Sequence, residues 1–271
     1  MRGLGGLLRG RSQAKAPQPK GQTHRILALP RMPVAVYAIG DLHGCRQLYH
    51  ALEAEIVADA RARGFEGPKL IVSLGDVVDR GPDSAGLIAD LMAPAPDGFR
   101  RVVLRGNHED KMEAFLDDPD GHRIWLKFGG DATLRSYGLQ PEDEDRGFDL
   151  PTSRLAAMIR TAIPDDHRAF LRGLPLALTL DRYILCHAGI DPARKVDAQD
   201  PDQLMWGDPA LVDGTEGLPT VVHGHVITEA PLVTPARINI DTGAYLSGQL
   251  TAVCLTRDAA PRLLGVSGHP G

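Results

Sequence analysis

The sequence predicts an α/β fold, and two patterns carry that expectation. The first is a set of short, β-branched, nearly continuously apolar runs: Val34–Ile39, Leu70–Leu74, Val102–Leu104, Tyr183–Cys186, Thr220–Val222, Arg237–Ile240 and Leu250–Leu255. Runs of this length and character suit strands covered on both faces. The second is the set of helical patterns between the early runs, at Gln47–Arg63, Ser84–Met92 and Glu109–Leu116. Strands alternating with helices imply βαβ units and a largely parallel sheet.

Taken in order, the chain begins with a basic stretch. Arg2, Arg9, Arg11, Lys15, Lys20, Arg25 and Arg31 precede the first acidic residue, Asp41. Gly, Pro and Gln separate them, so residues 1 to about 32 read as a disordered basic arm and 33–271 as one folded domain. Apolar residues in the arm are too few and too broken by Gly for a secretory signal. An acid-free, Arg-rich composition is shared by organelle transit peptides and by solvated tails. Residues 117–122 and 140–151 are acidic loops, and 152–180 reads as helical, interrupted by Pro164 and Pro175. The runs within 220–255 have short links with no room for helices, which suggests a second, mixed or antiparallel sheet.

At 271 residues, 43% hydrophobic and 24% charged, the chain has the composition of an ordinary globular protein. A net charge of −5 offers no groove for a phosphate backbone, so no nucleic-acid partner is expected. No stretch is long and apolar enough to span a bilayer, so no membrane partner is expected either. Cys45, Cys186 and Cys254 match no zinc or redox spacing, and their odd number argues against a disulfide framework. These thiols read as small buried residues in a reducing cytoplasm.

The informative feature is the motif at the end of each strand. Gly40-Asp41-Leu42-His43-Gly44 closes the first run and Gly75-Asp76-Val77-Val78-Asp79-Arg80-Gly81 the second. Arg105-Gly106-Asn107-His108-Glu109, His187-Ala188-Gly189 and His223-Gly224-His225 close the next three. Ligands in α/β sheets bind at the carboxyl ends of strands. Five strand ends therefore present Asp, His and Asn at one sheet edge. Carboxylate, imidazole and amide oxygen together favour Mn, Fe or Zn over an all-oxygen calcium site. An Asp able to bridge would hold two cations about 3.5–4 Å apart. Each motif alone is commonplace, since a Gly-Asp after a strand is usually a turn and Asn107 could be a helix cap. Their conjunction in one chain is not.

These segments resemble the signature of the phosphoprotein phosphatase family of calcineurin-like metallophosphoesterases: GDxHG, GDxVDRG, GNHE, HAG and a late GH. Gly129-Gly130, Ser136-Tyr137-Gly138, Leu174-Pro175-Leu176, Leu204-Met205-Trp206 and Ile240-Asp241-Thr242-Gly243-Ala244 are similar to bacterial and lambda-phage members. The likeness runs from about Val34 to Leu255. It implies a β-sandwich of two mixed sheets flanked by helices, an α-β-β-α fold. It implies two divalent metal ions as cofactors, Mn foremost with Fe and Zn as alternatives. Asp41 and His43 would bind the first, Asp76 would bridge, and Asn107, His187 and His225 would complete the second. His223 would then lie behind the site or in the core.

The same resemblance implies a serine/threonine protein phosphatase that cleaves phosphoester bonds by direct attack of a hydroxide held between the metals. Arg80 would stabilise charge on the phosphoryl oxygens, with Asn107 and His108 also contacting substrate. His108 would protonate the leaving group, oriented by Asp79. The partner would be a phosphoprotein or another phosphate ester. A close rival is a hydrolase that splits diadenosine tetraphosphate symmetrically, and a remoter one is a decayed binding module. Glu109, Asp110 and Glu113 read as first-turn acids favoured by a helix dipole, and Tyr245 as either a pocket or a core residue. Three departures from the family pattern stand out. No Arg or Lys occurs in 207–217, where relatives usually carry a second phosphate-binding arginine; Val226 replaces a usual Thr; and Phe128 replaces an Asn before Gly129-Gly130.

Overall fold

A computed structural model of the chain describes residues 25–145 and 147–269. Eleven strands occur among them: β1 Ile26–Leu29, β2 Ala35–Ile39, β3 Lys69–Ser73, β4 Phe99–Val103, β5 Ala177–Leu180, β6 Tyr183–Cys186, β7 Thr220–His223, β8 Leu232–Val233, β9 Arg237–Asn239, β10 Gln249–Leu255 and β11 Arg262–Ser267. The helices are α1 Arg46–Ala62, α2 Ser84–Met92, α3 Asn107–Asp117, α4 Gly130–Ser136, α5 Thr152–Ala162, α6 Asp165–Arg172, α7 Pro201–Trp206 and α8 Ala244–Ser247. Short 3-10 turns at Arg123–Phe128, Val196–Ala198 and Pro209–Val212 complete the elements.

Two mixed sheets stack face to face. One has the order β11-β10-β2-β3-β4, the other β1-β5-β6-β7-β9-β8. In the first sheet β2, β3 and β4 run parallel, as the early βαβ pattern predicts, while β10 lies antiparallel to both β2 and β11. Alternation within each strand decides which side chains meet. Val36, Ala38, Leu70, Val72, Val253 and Leu255 of the first sheet pack with Leu178, Leu180, Leu185, Val222 and Ile238 of the second. The opposite face of β2 turns Tyr37 and Ile39 toward the helix layer, where α1 supplies Leu48, Tyr49, Leu52, Ile56 and Ala60 at helical spacing. On the far side, Ile184, Cys186 and Val221 are covered by Leu204, Met205 and Val212. The layers are therefore helix, sheet, sheet and a thin helical cover, as the resemblance implies. All three cysteines are buried and free.

Four expectations change. Ile26–Leu29 is a strand, not arm, because it pairs in parallel with β5 in the register Ile26↔Ala177; the arm's residues 1–24 lie outside the described residues. The stretch expected to be helical from 152 to 180 ends in β5, which pairs with β6 to fill the second sheet. The three late runs do not share a sheet. Arg237–Asn239 joins Thr220–His223, but Gln249–Leu255 crosses to the first sheet beside β2. The five strand ends therefore come from two sheets, whose carboxyl edges meet. No helix among the described residues is long and apolar enough to cross a membrane.

Candidate metal centre

The loops after β2, β3, β4, β6 and β7 converge on one buried cluster. Six non-glycine residues have positive φ among the described residues, and five lie in these loops: His43 (41°), Asp76 (49°), Asp79 (73°), Arg80 (71°) and His225 (68°). Such conformations cost about 1–3 kcal/mol each and persist only where the surroundings hold them. Here the loops are laced to each other. Asp76 O accepts from Leu42 N at 3.1 Å and His43 N at 2.8 Å, and Val77 O accepts from Gly44 N at 2.9 Å. Two glycines permit the close approach. A Cβ on Gly106 would sit 2.2 Å from Asp76 Oδ1, and one on Gly224 2.0 Å from Asp41 Oδ1.

The structure brings together all six residues anticipated as ligands. Asp76 is central, with its two oxygens facing different neighbours: Oδ2 lies 3.6 Å from His43 Nε2 and Oδ1 lies 3.4 Å from His187 Nε2. Around Oδ1, His187 Nε2 is 2.8 Å from Asn107 Oδ1, and His225 Nδ1 is 3.2 Å from His187 Nε2 and 3.1 Å from Asn107 Oδ1. Asp41 lies beside this group, accepting from the His225 backbone N–H at 3.2 Å. Asp41, Asp76 and His187 form one set of converging donors; His43, Asp76 and His108 form another.

The donor chemistry fits cations. His187 Nδ1 donates to Leu74 O at 3.0 Å, so its Nε2 presents a lone pair. That lone pair faces the Asn107 carbonyl oxygen and the Asp76 carboxylate, acceptor against acceptor. Burial pushes the His187 value down to about 4, so an imidazolium does not relieve the conflict at neutral pH. Burial likewise pushes His43 down to about 3, and its Nδ1 donates to Val78 O at 2.8 Å, so the Nε2 lone pair turns to the site. Burial, together with Asp241 and Asp76, raises Asp41 well above the usual carboxylate range. Burial opposes the Asp76 anion too, but His187, His108 and His43 outweigh it and hold that carboxyl below its ordinary value. A shared divalent ion on each side of Asp76 would satisfy every one of these groups.

Beside the cluster lies a second unit. His108 Nδ1 is 2.6 Å from Asp79 Oδ2, and Asp79 also accepts from Trp125 Nε1 and Thr133 Oγ1, each at 2.8 Å. Burial disfavours the imidazolium, but the Asp76 charge and the Asp79 contact prevail and raise the His108 value. The Arg80 guanidinium lies 3.0 Å from His43 Nε2 and 3.1 Å from His108 Nε2. Its opposite side rests on Tyr245, 4.7 Å from the ring centroid, so Tyr245 lines the site.

Three roles were not anticipated. Glu109 is a first-turn acid of α3, as expected, but it does more than favour the helix dipole. It is fully buried and accepts from the backbone N–H groups of Asp76, Val77, Val78 and Gly106 at 2.8–3.2 Å. It thus joins the Asp76 loop to the Asn107 loop. Burial and the Asp76 charge push it up to about 7, although all four of its contacts are donors suited to the anion. Asp241, after β9, stands against Asp41 and is raised to about 6 by burial. Its place at a strand end is the signal that could have marked it. Trp125 and Thr133, which grip Asp79, carry no sequence signal at all. His223 is fully buried, its Nδ1 facing Gly224 O at 2.9 Å and its Nε2 without a hydrogen-bond partner, which places it behind the site.

The calcineurin-like phosphoesterase family model matches residues 34–248. The chain is 29% identical over 245 residues to the bis(5'-nucleosyl)-tetraphosphatase PrpE [asymmetrical] of Geobacillus thermodenitrificans, covering 79% of this chain and 88% of that protein. It is 25% identical over 234 residues to the protein of the same name from Bacillus thuringiensis, with the same coverage. Among solved structures, one described as "a putative diadenosine tetraphosphatase" superposes with a TM-score of 0.60 at 23% identity, covering 91% of this chain and 99% of that one. A cold-active protein-tyrosine phosphatase of a psychrophilic Shewanella gives 0.54 at 16% identity, covering 92% and 87%. These last two likenesses bear on the fold alone.

Proposed function

The chain belongs to the calcineurin-like phosphoesterase family, and from that premise we propose that it hydrolyses bis(5'-nucleosyl) tetraphosphates at a dinuclear metal centre, cutting them asymmetrically. The observation that carries the reaction class is the placement of His187 Nε2, Asn107 Oδ1 and His225 Nδ1 within 2.8–3.2 Å of one another beside Asp76. The substrate class is supported by the names of the similar proteins from Geobacillus and Bacillus. By the family resemblance Asp41, His43 and Asp76 would hold one divalent ion and Asp76, Asn107, His187 and His225 the other, with Asp41 also converging on Asp76 and His187. Bound cations supply charge neutralisation and a water acidified toward neutral pH.

The chain's own groups do the rest. Arg80 sits between His43 and His108, where its planar fork can take two phosphoryl oxygens as charge grows on them. His108 keeps Nδ1 on Asp79 and turns Nε2 to the site. A proton on Nε2 can pass to the oxygen that leaves phosphorus, and Asp79 supports the charge on the imidazole before that transfer. Asn107 and His108 also border the space a phosphoryl group would fill.

A serine/threonine protein phosphatase is the competing reading, because the GDxHG, GDxVDRG and GNHE segments resemble those enzymes. One assay separates the two. The Mn-loaded protein is given diadenosine tetraphosphate or a phosphothreonine peptide, and products are resolved by chromatography. Equal amounts of AMP and ATP are expected. ADP as the sole product would mean symmetrical cleavage. Phosphate released from the peptide with the dinucleotide intact would overturn the proposal in favour of the phosphatase.

A further inference from the structure

The mouth of the metal centre carries a constellation the reaction does not use. Lys111 lies one helical turn after Asn107 on α3, so the two share a helix face. Its Nζ sits 4.2 Å from the Phe128 ring centroid and 4.4 Å from the Trp206 ring centroid. Neither ring is core material. Phe128 is 43% exposed and Trp206 39% exposed, unusual for aromatic residues this close to a buried charged cluster. Each is tied to the centre. Trp206 stands edge-on to His225, with centroids 6.4 Å apart, and Phe128 precedes Gly129, whose carbonyl accepts from Arg80 N at 3.1 Å.

Among the described residues Lys111 makes no hydrogen bond or ion pair, although its neighbour Asp110 pairs with Arg105. Asp110 foremost, then Asp79 and Asp76, are near enough for their charge to act on it. The 207–217 segment contributes no cation here, and its Asp213 is itself bound by Arg237 at 2.9 and 3.0 Å. The site therefore has an ammonium without a hydrogen bond or ion pair, beside two exposed rings, one of which, Phe128, stands where the family pattern has an asparagine.

We propose that Lys111, Phe128 and Trp206 form the binding site for the nucleoside end of a nucleoside polyphosphate. The rings take the base by stacking, and the ammonium leaves them to pair with the phosphate chain, supplying the charge that 207–217 lacks. This rests on reading the chain as a nucleotide hydrolase. An ammonium whose direct contacts are rings moves readily to phosphate, because a direct ion pair outweighs a partly solvated cation–π contact. A base on the vacated ring replaces one flat contact by another.

Calorimetric titration of the Mn-loaded full-length protein with ADP and with pyrophosphate tests the site through binding, with chromatography checking that each ligand stays uncut during the titration. Stacking predicts that ADP binds at least about tenfold more tightly than pyrophosphate. Trp206→Ala and Phe128→Ala should each bring the two within about twofold, and Trp206→Phe should restore most of the preference. Lys111→Gln should weaken both ligands by about tenfold while keeping their ratio. A wild type that binds ADP no better than pyrophosphate, or a preference untouched by both ring variants, overturns the site. A wild type that prefers ADP yet leaves diadenosine tetraphosphate uncut keeps the site and removes the reading on which it rests.

Discussion

His108 Nδ1 lies 2.6 Å from Asp79 Oδ2 in a contact closed to solvent, and the two residues come from the first turn of α3 and the loop after β3. Because Asp79 is also gripped by Trp125 and Thr133, the imidazole cannot rotate without breaking a fixed partner. The arrangement commits Nδ1 to Asp79 and leaves Nε2 as the atom facing the site.

His108→Asn should therefore slow substrates with poor leaving groups by about 10²–10⁴-fold, and p-nitrophenyl phosphate by far less. The pH profile gives the sign. A raised His108 value keeps the protonated form present below it and loses that form as pH rises through it. Asp79→Asn removes a group that raises the value, so the alkaline limb of kcat should move to lower pH. An alkaline limb that stays in place would detach Asp79 from the proton donor.

Asp76 should be the residue the metal pair cannot lose, since its two oxygens address both ligand groups. Asp76→Asn should reduce bound Mn from two ions per chain to one or fewer, measured by elemental analysis. Turnover of diadenosine tetraphosphate should fall at least about 100-fold. A variant that retains two ions would refute the bridging role.

Glu109 holds four backbone N–H groups without touching substrate space. Glu109→Gln sets an amide NH2 against some of those donors. It should cost about 2–3 kcal/mol and lower Tm by roughly 5–10 °C. Mn affinity should drop about 10- to 100-fold, because the strained Asp76 loop loses its clamp. Unchanged stability with unchanged Mn affinity would return Glu109 to the ordinary helix-start role.

Gly224 leaves no space for a methyl group, whose carbon would sit 2.0 Å from Asp41 Oδ1. Gly224→Ala should displace the Asp41 carboxylate or the His225 backbone that donates to it. Circular dichroism should stay native while Mn affinity falls at least about tenfold. Full affinity in this variant would show that Asp41 is not held where a cation needs it.

The convergence of the candidate ligands was legible in the sequence because each comes within a few residues of the end of an apolar run. Asp41, His43, Asp76, Asn107, His187 and His225 all sit in such strand-end motifs, and these are local patterns. The helix–sheet alternation of the first half was legible for the same reason. Phe128 and the cation-free 207–217 segment were visible as departures, but their shared meaning was not, because nothing in the sequence places Lys111 between Phe128 and Trp206.

The tertiary structure alone decided the rest. Ile26–Leu29 is a strand only because Ala177–Leu180 is there to pair with it. Gln249–Leu255 lies beside Ala35–Ile39, not beside its near neighbours in sequence, because its inward residues complete the core between the sheets. Glu109 became a clamp and Asp241 a neighbour of Asp41 through contacts between distant loops. Hydrophobic period and turn chemistry act over a few residues, so they write strands, helices and strand-end ligands into the chain directly. Sheet partners and the donors around a buried carboxylate come from burying surfaces far apart in sequence, and only the packed chain selects them.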